Sequence, residues 1–338
     1  MAEMNDIVKI AVDAYHGKVE KYSVDQSMEL LREALVKANG GSTTLNYKNM
    51  RDGKCNGLFA LVEEILSRTV VEGLQQNDFF MALVDFRNVA EGDKNVFLVE
   101  DDNMFVVAEI APGTQGIRRQ RIGGYSEVSI PTHMYAVKIY EELNRVLAGR
   151  VDFNYFINKV SEAFTKDMLE RVFALWNTAS AEDFGGVTYF PAAGAYDEEE
   201  LLELIAHVEA AANGKSATIM GTKKALRKLM PAIQGHEIQG DMYNQGYIGR
   251  FYGTPVVAIP QRHKMGSTEF VMDDDVLTIM AGDDKPIKVV YEGDPLVITG
   301  DPMNNGDLTY EYMYAERWGM GIILAGGANA GIGRYQLA

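Results

Sequence analysis

Gly282-Asp283-Asp284 follows the apolar run Leu277-Thr278-Ile279-Met280, the strand-then-turn placement in which viral RNA polymerases hold two metal ions between paired carboxylates. The chain is short and acidic for such an enzyme and offers no partner motif, so the pair reads as a surface turn. The five histidines, His16, His133, His207, His236 and His263, never form an HxxxH pair, and His236-Glu237 lacks the second histidine of HExxH, so zinc chemistry has no ligand set. Asp273, Asp274 and Asp275 are consecutive, whereas a calcium loop needs carboxylates at alternate positions with a glycine behind them. Cys55 is the single cysteine: there is no disulfide framework and no CxxC, which fits a reducing cytoplasm, and the thiol itself reads as inert. No GxSxG or Walker loop occurs, and GGANAGIG near the C-terminus does not open a helix as a dinucleotide loop must. The sequence therefore supplies no catalytic residue, no metal site and no cofactor-binding residue.

One charged group stands out by spacing. Arg118, Arg119 and Arg121 put three cations within four residues of a chain whose 32 basic and 48 acidic residues leave it at −16. They lie in APGTQGIRRQRIGG (residues 111–124), a Gly/Pro turn between VFLVEDDNMFVVAEI (96–110) and YSEVSIPTHMYAVKIY (125–140), both apolar and β-branched. That order predicts an extended hairpin arm spanning on the order of 40 Å at roughly 3.3 Å per residue, too long to stay within one compact body. Its arginines are the candidate contacts between subunits. The strong negative charge argues against reading or wrapping nucleic acid, because counterion release requires clustered Lys and Arg.

The elements around the arm follow from periodicity. Residues 1–78 read as an N-terminal arm with two amphipathic helices, Asp25 to Ala38 and Leu58 to Glu72, that docks on a larger body. A short helix from Glu141 to Ala148 leads to a break at Gly149. Asp152 is placed to cap a long helix of about 26 residues, along which Phe153, Phe156, Ile157, Val160, Phe164, Met168, Val172, Leu175 and Trp176 trace an apolar stripe. Residues 179–285 alternate helix and strand: a helix after Asp197 running to about Ala212, a strand Ala217 to Met220, a basic helix Thr222 to Met230, an exposed loop Ile233 to Gly249, a strand Thr254 to Ile259, and a hairpin of Phe270 to Met272 with Val276 to Met280. Three β segments close the chain, Ile287 to Glu292, Leu296 to Thr299 and Leu308 to Leu324. In the last, Tyr310, Tyr312 and Tyr314 alternate with Glu311, Met313 and Ala315, a period a strand satisfies and a helix cannot. It is expected to share a sheet with Tyr125 to Tyr140 beneath the long helix. At 338 residues and 47% hydrophobic the chain can build real cores, while its longest apolar runs fall short of the roughly 20 residues of a membrane span and its start lacks a signal-peptide apolar region.

This succession resembles the major capsid protein of tailed bacteriophages, the Hong Kong 97-type coat fold. The points of resemblance are YAVKIYEELNRVLAGRVDFNYFINKVSEAFTKDMLERVFALWN ahead of the turn Phe184-Gly185-Gly186, the strand GTPVVAIP, and the closing RWGMGIIL. The implied fold class is α+β: a Hong Kong 97-like capsid fold with N-terminal arm (1–78), extended β-hairpin loop (79–130), a peripheral domain of long spine helix and long sheet (131–178 and 286–325), an axial α/β domain (179–285) and a C-terminal tail (326–338). The resemblance further implies a non-enzymatic shell protein that self-assembles as hexamers and pentamers around double-stranded DNA without sequence-specific binding, needs no cofactor, and resides in the virion after assembly in the host cytoplasm. Implied partners are further copies of itself and scaffolding, portal and decoration proteins, with no membrane. Two other readings stay open: an encapsulin-type nanocompartment shell, and an enzyme with an unrecognised site. Some members of the resembled family join a hairpin lysine to an asparagine of a neighbour, with a glutamate as base. Asn304 or Asn305 and Glu311 or Glu316 could serve here, yet residues 111–124 contain no lysine, the closest being Lys94 and Lys138.

Overall fold

The computed structural model describes all residues except 1, 16–22, 44–46, 59, 62–63, 66–67, 70–82, 100–104, 114–115, 122, 143–152, 181, 185–188, 230–235, 283, 300–308, 325–330 and 338. Outside the described residues fall His16, Asp152, Asp283, Asn304, Asn305, most of the expected helix Glu141 to Ala148, the end of the helix from Leu58 and the turn after Phe184.

A five-stranded sheet and a six-stranded sheet organise the chain. In the first, β1 (Val84–Val89) pairs in parallel with β10 (Ile287–Glu292), and both β10 and β11 (Leu296–Thr299) pair with one side of the 14-residue β12 (Thr309–Ile322). The other side of β12 takes β4 (His133–Glu142) in a continuous antiparallel register from Thr309↔Glu142 to Trp318↔His133. The two segments expected to share a sheet thus do so, although Glu141 and Glu142 extend the strand where a helix was expected.

Above this sheet lies the 26-residue helix Phe153–Thr178, here α4. Val160, Phe164, Met168, Val172 and Trp176 of the expected stripe are buried, together with Leu169 and Phe173. Phe164 meets Tyr314 of β12 edge-on at 5.0 Å. Each such side chain contributes roughly 1.5–3 kcal/mol by leaving water, so this seam is the main source of cohesion in this half of the molecule. Two N-terminal helices, α1 (Ala2–Tyr15) and α2 (Val24–Ala38), feed the same core through Val8, Ala11, Val12, Leu31 and Leu35, as do Leu58, Leu61 and Ile65 from the helical residues that follow α3 (Tyr47–Arg51). The sequence reading missed α1, although Val8, Ala11 and Val12 carry helical spacing. Ser23 and Gln26 form the capping box that starts α2.

The second sheet runs β5 (Tyr189–Gly194), β13 (Gly331–Leu337), β9 (Val276–Ala281), β6 (Ala217–Thr222), β8 (Thr254–Ile259), β7 (Arg250–Phe251). Asp197 caps α5 (Glu198–Ala211) by accepting from the Glu199 N–H at 2.9 Å. Thr222 caps the short α6 (Lys223–Leu226). Three expectations are corrected here. The stretch Ile233 to Gly249 contains a helix, α7 (His236–Asn244), where a loop was expected. Phe270 to Met272 does not pair with β9; Phe270 bridges to His263, and β9 lies between β6 and β13. The segment treated as a C-terminal tail supplies β13, which pairs in parallel with β5 and antiparallel with β9 and so joins the sheet interior. Gly331 opens that strand because a side chain there would meet the Val208 carbonyl at 2.4 Å.

Candidate assembly interface

The arm is rooted firmly, and its described residues beyond the root are exposed. At the root, β2 (Phe97–Val99) and β3 (Ser126–Val128) form a three-residue antiparallel ladder. Phe97 is buried with Ile130, Val290 and Ile323, the Arg87 guanidinium lies 4.1 Å over the Phe97 ring, and Asn95 Nδ2 donates to the Ile130 carbonyl at 2.9 Å. Thr132 donates to the Glu292 carboxylate, which also accepts from the Gly92 N–H at 3.2 Å; led by the threonine bond, these hold Glu292 below its ordinary value. These contacts fix the direction in which the arm leaves the five-stranded sheet.

Beyond the root the described residues carry no ladder. The expected long hairpin is therefore corrected: its second side divides, Ser126–Val128 closing the arm and His133–Glu142 entering the sheet as β4. A single side chain substitutes for missing ladder rungs. Gln120 Oε1 accepts from the Val106 N–H and its Nε2 donates to the Val106 carbonyl, both at 2.8 Å, satisfying both main-chain groups as a paired strand would. Along this stretch apolar side chains face solvent, Val107 at 94%, Val106 at 74%, Tyr125 at 66% and Phe105 at 54% exposure, with Ile110 and Ile117 beside them. Among the described residues nothing covers these side chains, which makes the run a candidate contact surface.

Arg118, Arg119 and Arg121 all lie on this segment and are exposed. Arg119 and Arg121 flank Gln120 in sequence, so the amide clamp lies within the basic stretch. Sequence reasoning found the arginines by charge density and missed Gln120, whose role is visible only once Val106 is placed opposite it.

Asp284 forms an ion pair with Lys288 at 2.8 Å, and Lys288, 2% exposed, also approaches Asp85 at 3.5 Å, which ties the turn to β10 and β1. Lys224 and Lys228 hold Asp274 and Asp275 at 3.4 and 2.6 Å, and Asp273 accepts from the Asp275 N–H at 2.9 Å, so the acidic triplet is tied up within the fold. His207 stacks on Phe190 and His263 on Phe270. Cys55 is buried, its Sγ donates to Asn39 Oδ1 at 3.1 Å, and burial raises its pKa, as an unreactive thiol requires. Among the described residues no cluster of ligands could hold a metal ion, and no helix is long and apolar enough to cross a membrane. A cleft beside Trp176, Phe184 and Tyr189 has a volume of about 10 Å³, room for about one water and far below the roughly 300 Å³ at which small-molecule sites begin.

The mature capsid of bacteriophage PhiM1 shares the fold, with a TM-score of 0.50 at 10% identity over 78% of this chain and 87% of that one. The capsid of a native GTA particle aligns over 76% of this chain and 88% of its own at 16% identity and TM-score 0.49. That of cyanophage P-SCSP1u aligns over 77% and 88% at 12% identity and TM-score 0.49. Over residues 3–328 the chain matches the family described as "SPbeta prophage-derived putative capsid protein YonB", and it belongs to that family. No curated protein matches it by sequence. The chain is a phage capsid protein, a structural component rather than an enzyme.

Proposed function

We propose that the chain self-assembles into hexamers and pentamers of an icosahedral shell that encloses the double-stranded DNA of a tailed phage, each arm lying on a neighbouring subunit. The exposed apolar stretch from Phe105 to Tyr125 carries this reading, because those side chains gain roughly 1.5–3 kcal/mol each only when a second molecule covers them. Repeated over a closed lattice, modest contacts of this kind become collectively stable. The net charge of −16 agrees with DNA held by confinement rather than by attraction. Residues 79–130 serve as the intersubunit arm, 131–178 with 286–325 as the peripheral domain and 179–285 as the axial domain, to which β13 is added. Scaffolding, portal and decoration proteins would act on the assembled lattice, in the host cytoplasm, to give the virion. Negative-stain images and sedimentation of the purified protein test the reading: rings and closed shells are expected, and a strictly monomeric species at micromolar concentration with the arm intact would overturn it.

The shell is held without covalent bonds. An isopeptide needs an uncharged amine from the arm, and residues 111–124 offer guanidinium groups, which stay protonated at neutral pH. Lys138 is occupied by Glu311 at 2.5 Å, and Glu316 is only 3% exposed, out of reach as a base for an incoming amine. Particles boiled in detergent should run as one band at the 37.4 kDa subunit mass. A ladder that survives reducing agent would contradict this and direct attention to Lys94.

A further inference from the structure

Tyr314, Glu316 and Trp318 alternate along β12 towards α4, and all three are buried. A carboxyl group in such a seam normally meets a cation, because ionisation away from water is otherwise strongly unfavourable. Glu316 meets hydroxyls and apolar groups. Tyr314 of its own strand donates to Oε1. Tyr291 of β10 brings a second hydroxyl to this region, which donates to Met168 Sδ of α4 at 3.7 Å. Among the described residues Oε2 is buried without a hydrogen-bond partner. From β4, Tyr135 stands opposite Glu316 in register and stacks on Trp318 at 4.2 Å, while His133, opposite Trp318, is exposed. The cation that α4 contributes over this region is Arg171, which is held by Asp167 at 2.8 Å and lies 4.8 Å over the Tyr135 ring. Lys288 of β10 is committed to Asp284 and Asp85.

From this arrangement we propose that Glu316 is a proton-operated latch between α4 and the five-stranded sheet, closed while the carboxyl carries its proton and loosened when it ionises. The bound proton removes the charge that the seam cannot solvate; its loss leaves a buried anion with one unsatisfied oxygen. The seam carries β4, whose His133 end follows the arm strand β3 in the chain, and its partner β12, so the latch sets the rigidity of the body from which the arm projects.

Burial raises the carboxyl from 4.5 to about 7, outweighing the Tyr314 and Tyr291 hydroxyls that lower it. A raised acid adds most to stability below its unfolded value and loses that contribution as pH rises to its folded one. The window is therefore about 4.5 to 7, and an acid shifted so far weakens the folding equilibrium by up to roughly 300-fold across it.

The test compares wild-type protein with Glu316→Gln by chemical unfolding and by hydrogen exchange corrected for the intrinsic rate, from about pH 5 to about pH 8. Wild-type stability is expected to fall roughly 100-fold over that range beyond the change shown by Glu316→Gln, with exchange in residues 160–176 accelerating while β6 and β9 of the other sheet stay constant. Parallel profiles for the two proteins, or acceleration spread evenly over both sheets, would overturn the proposal. If Glu316→Gln does not fold, infrared titration of the wild type and of Tyr314→Phe decides it. A protonated carboxyl stretch that persists above about pH 6 and persists higher in Tyr314→Phe supports the latch, and its loss below about pH 5 in both refutes it.

Discussion

Replacing Arg118, Arg119 and Arg121 together with glutamate is expected to leave a folded subunit that forms no shells. All three side chains are exposed on the arm, away from both sheet cores, so circular dichroism and the melting temperature should move little, as for most surface substitutions. Assembly is a different matter. Three cations become three anions on every copy of a chain already at −16, and wherever arms meet acidic neighbours, attraction turns to repulsion at each contact of the lattice. The lysine triple variant separates charge from geometry: if it assembles only at low salt, the planar guanidinium fork contributes beyond its charge. Normal shells from the glutamate variant would remove the arginines from the interface.

The second large effect is predicted at the opposite end of the chain. Deleting residues 331–338 should unfold the six-stranded sheet, although a terminal segment usually tolerates truncation. β13 is the strand that joins β5 to β9, so its loss exposes two strand edges at once. Ile332, Tyr335 and Leu337 are all at most 2% exposed, and losing each buried side chain costs about 2–5 kcal/mol, together comparable with the whole stability of a domain. Tyr335 deserves its own variants. Its hydroxyl donates to the Ala195 carbonyl at 2.9 Å, accepts from the Asp197 N–H at 3.2 Å, and lies 3.0 Å from Glu200, which ties β13 to the start of α5. Tyr335→Ala should lower stability by about 3–5 kcal/mol and Tyr335→Phe by about 1 kcal/mol in denaturant unfolding. A truncated protein that melts like the intact one would show that β13 is dispensable.

Sequence patterns by themselves determined the elements whose reason for existing is local. The 26-residue helix Phe153–Thr178 was legible because its apolar stripe repeats at helical spacing, and β12 because its tyrosines alternate. Asp197 and Asn213-Gly214 marked the ends of α5 for equally local reasons: a side-chain cap at one end, and positive φ values of 54° and 81° at the other. The arginines of the arm were visible as charge density. What depended on distant partners was not legible. GIGRYQL has no local property that separates a solvated tail from an inner strand; its place follows from the gap between β5 and β9 and from Val208, which leaves no room for a side chain at Gly331. The glycines of RWGMGIIL read only as a family likeness, and their cause is tertiary: residues 130–131 cross so close to Gly319 that a Cβ would meet the Pro131 carbonyl at 2.2 Å. Gln120 became a clamp only when Val106 was brought opposite, and Glu316 became a buried acid only when α4 closed over β12. Periodicity fixes which face of an element is apolar; which surface covers that face, and so which polar group loses its water, is decided when the layers meet.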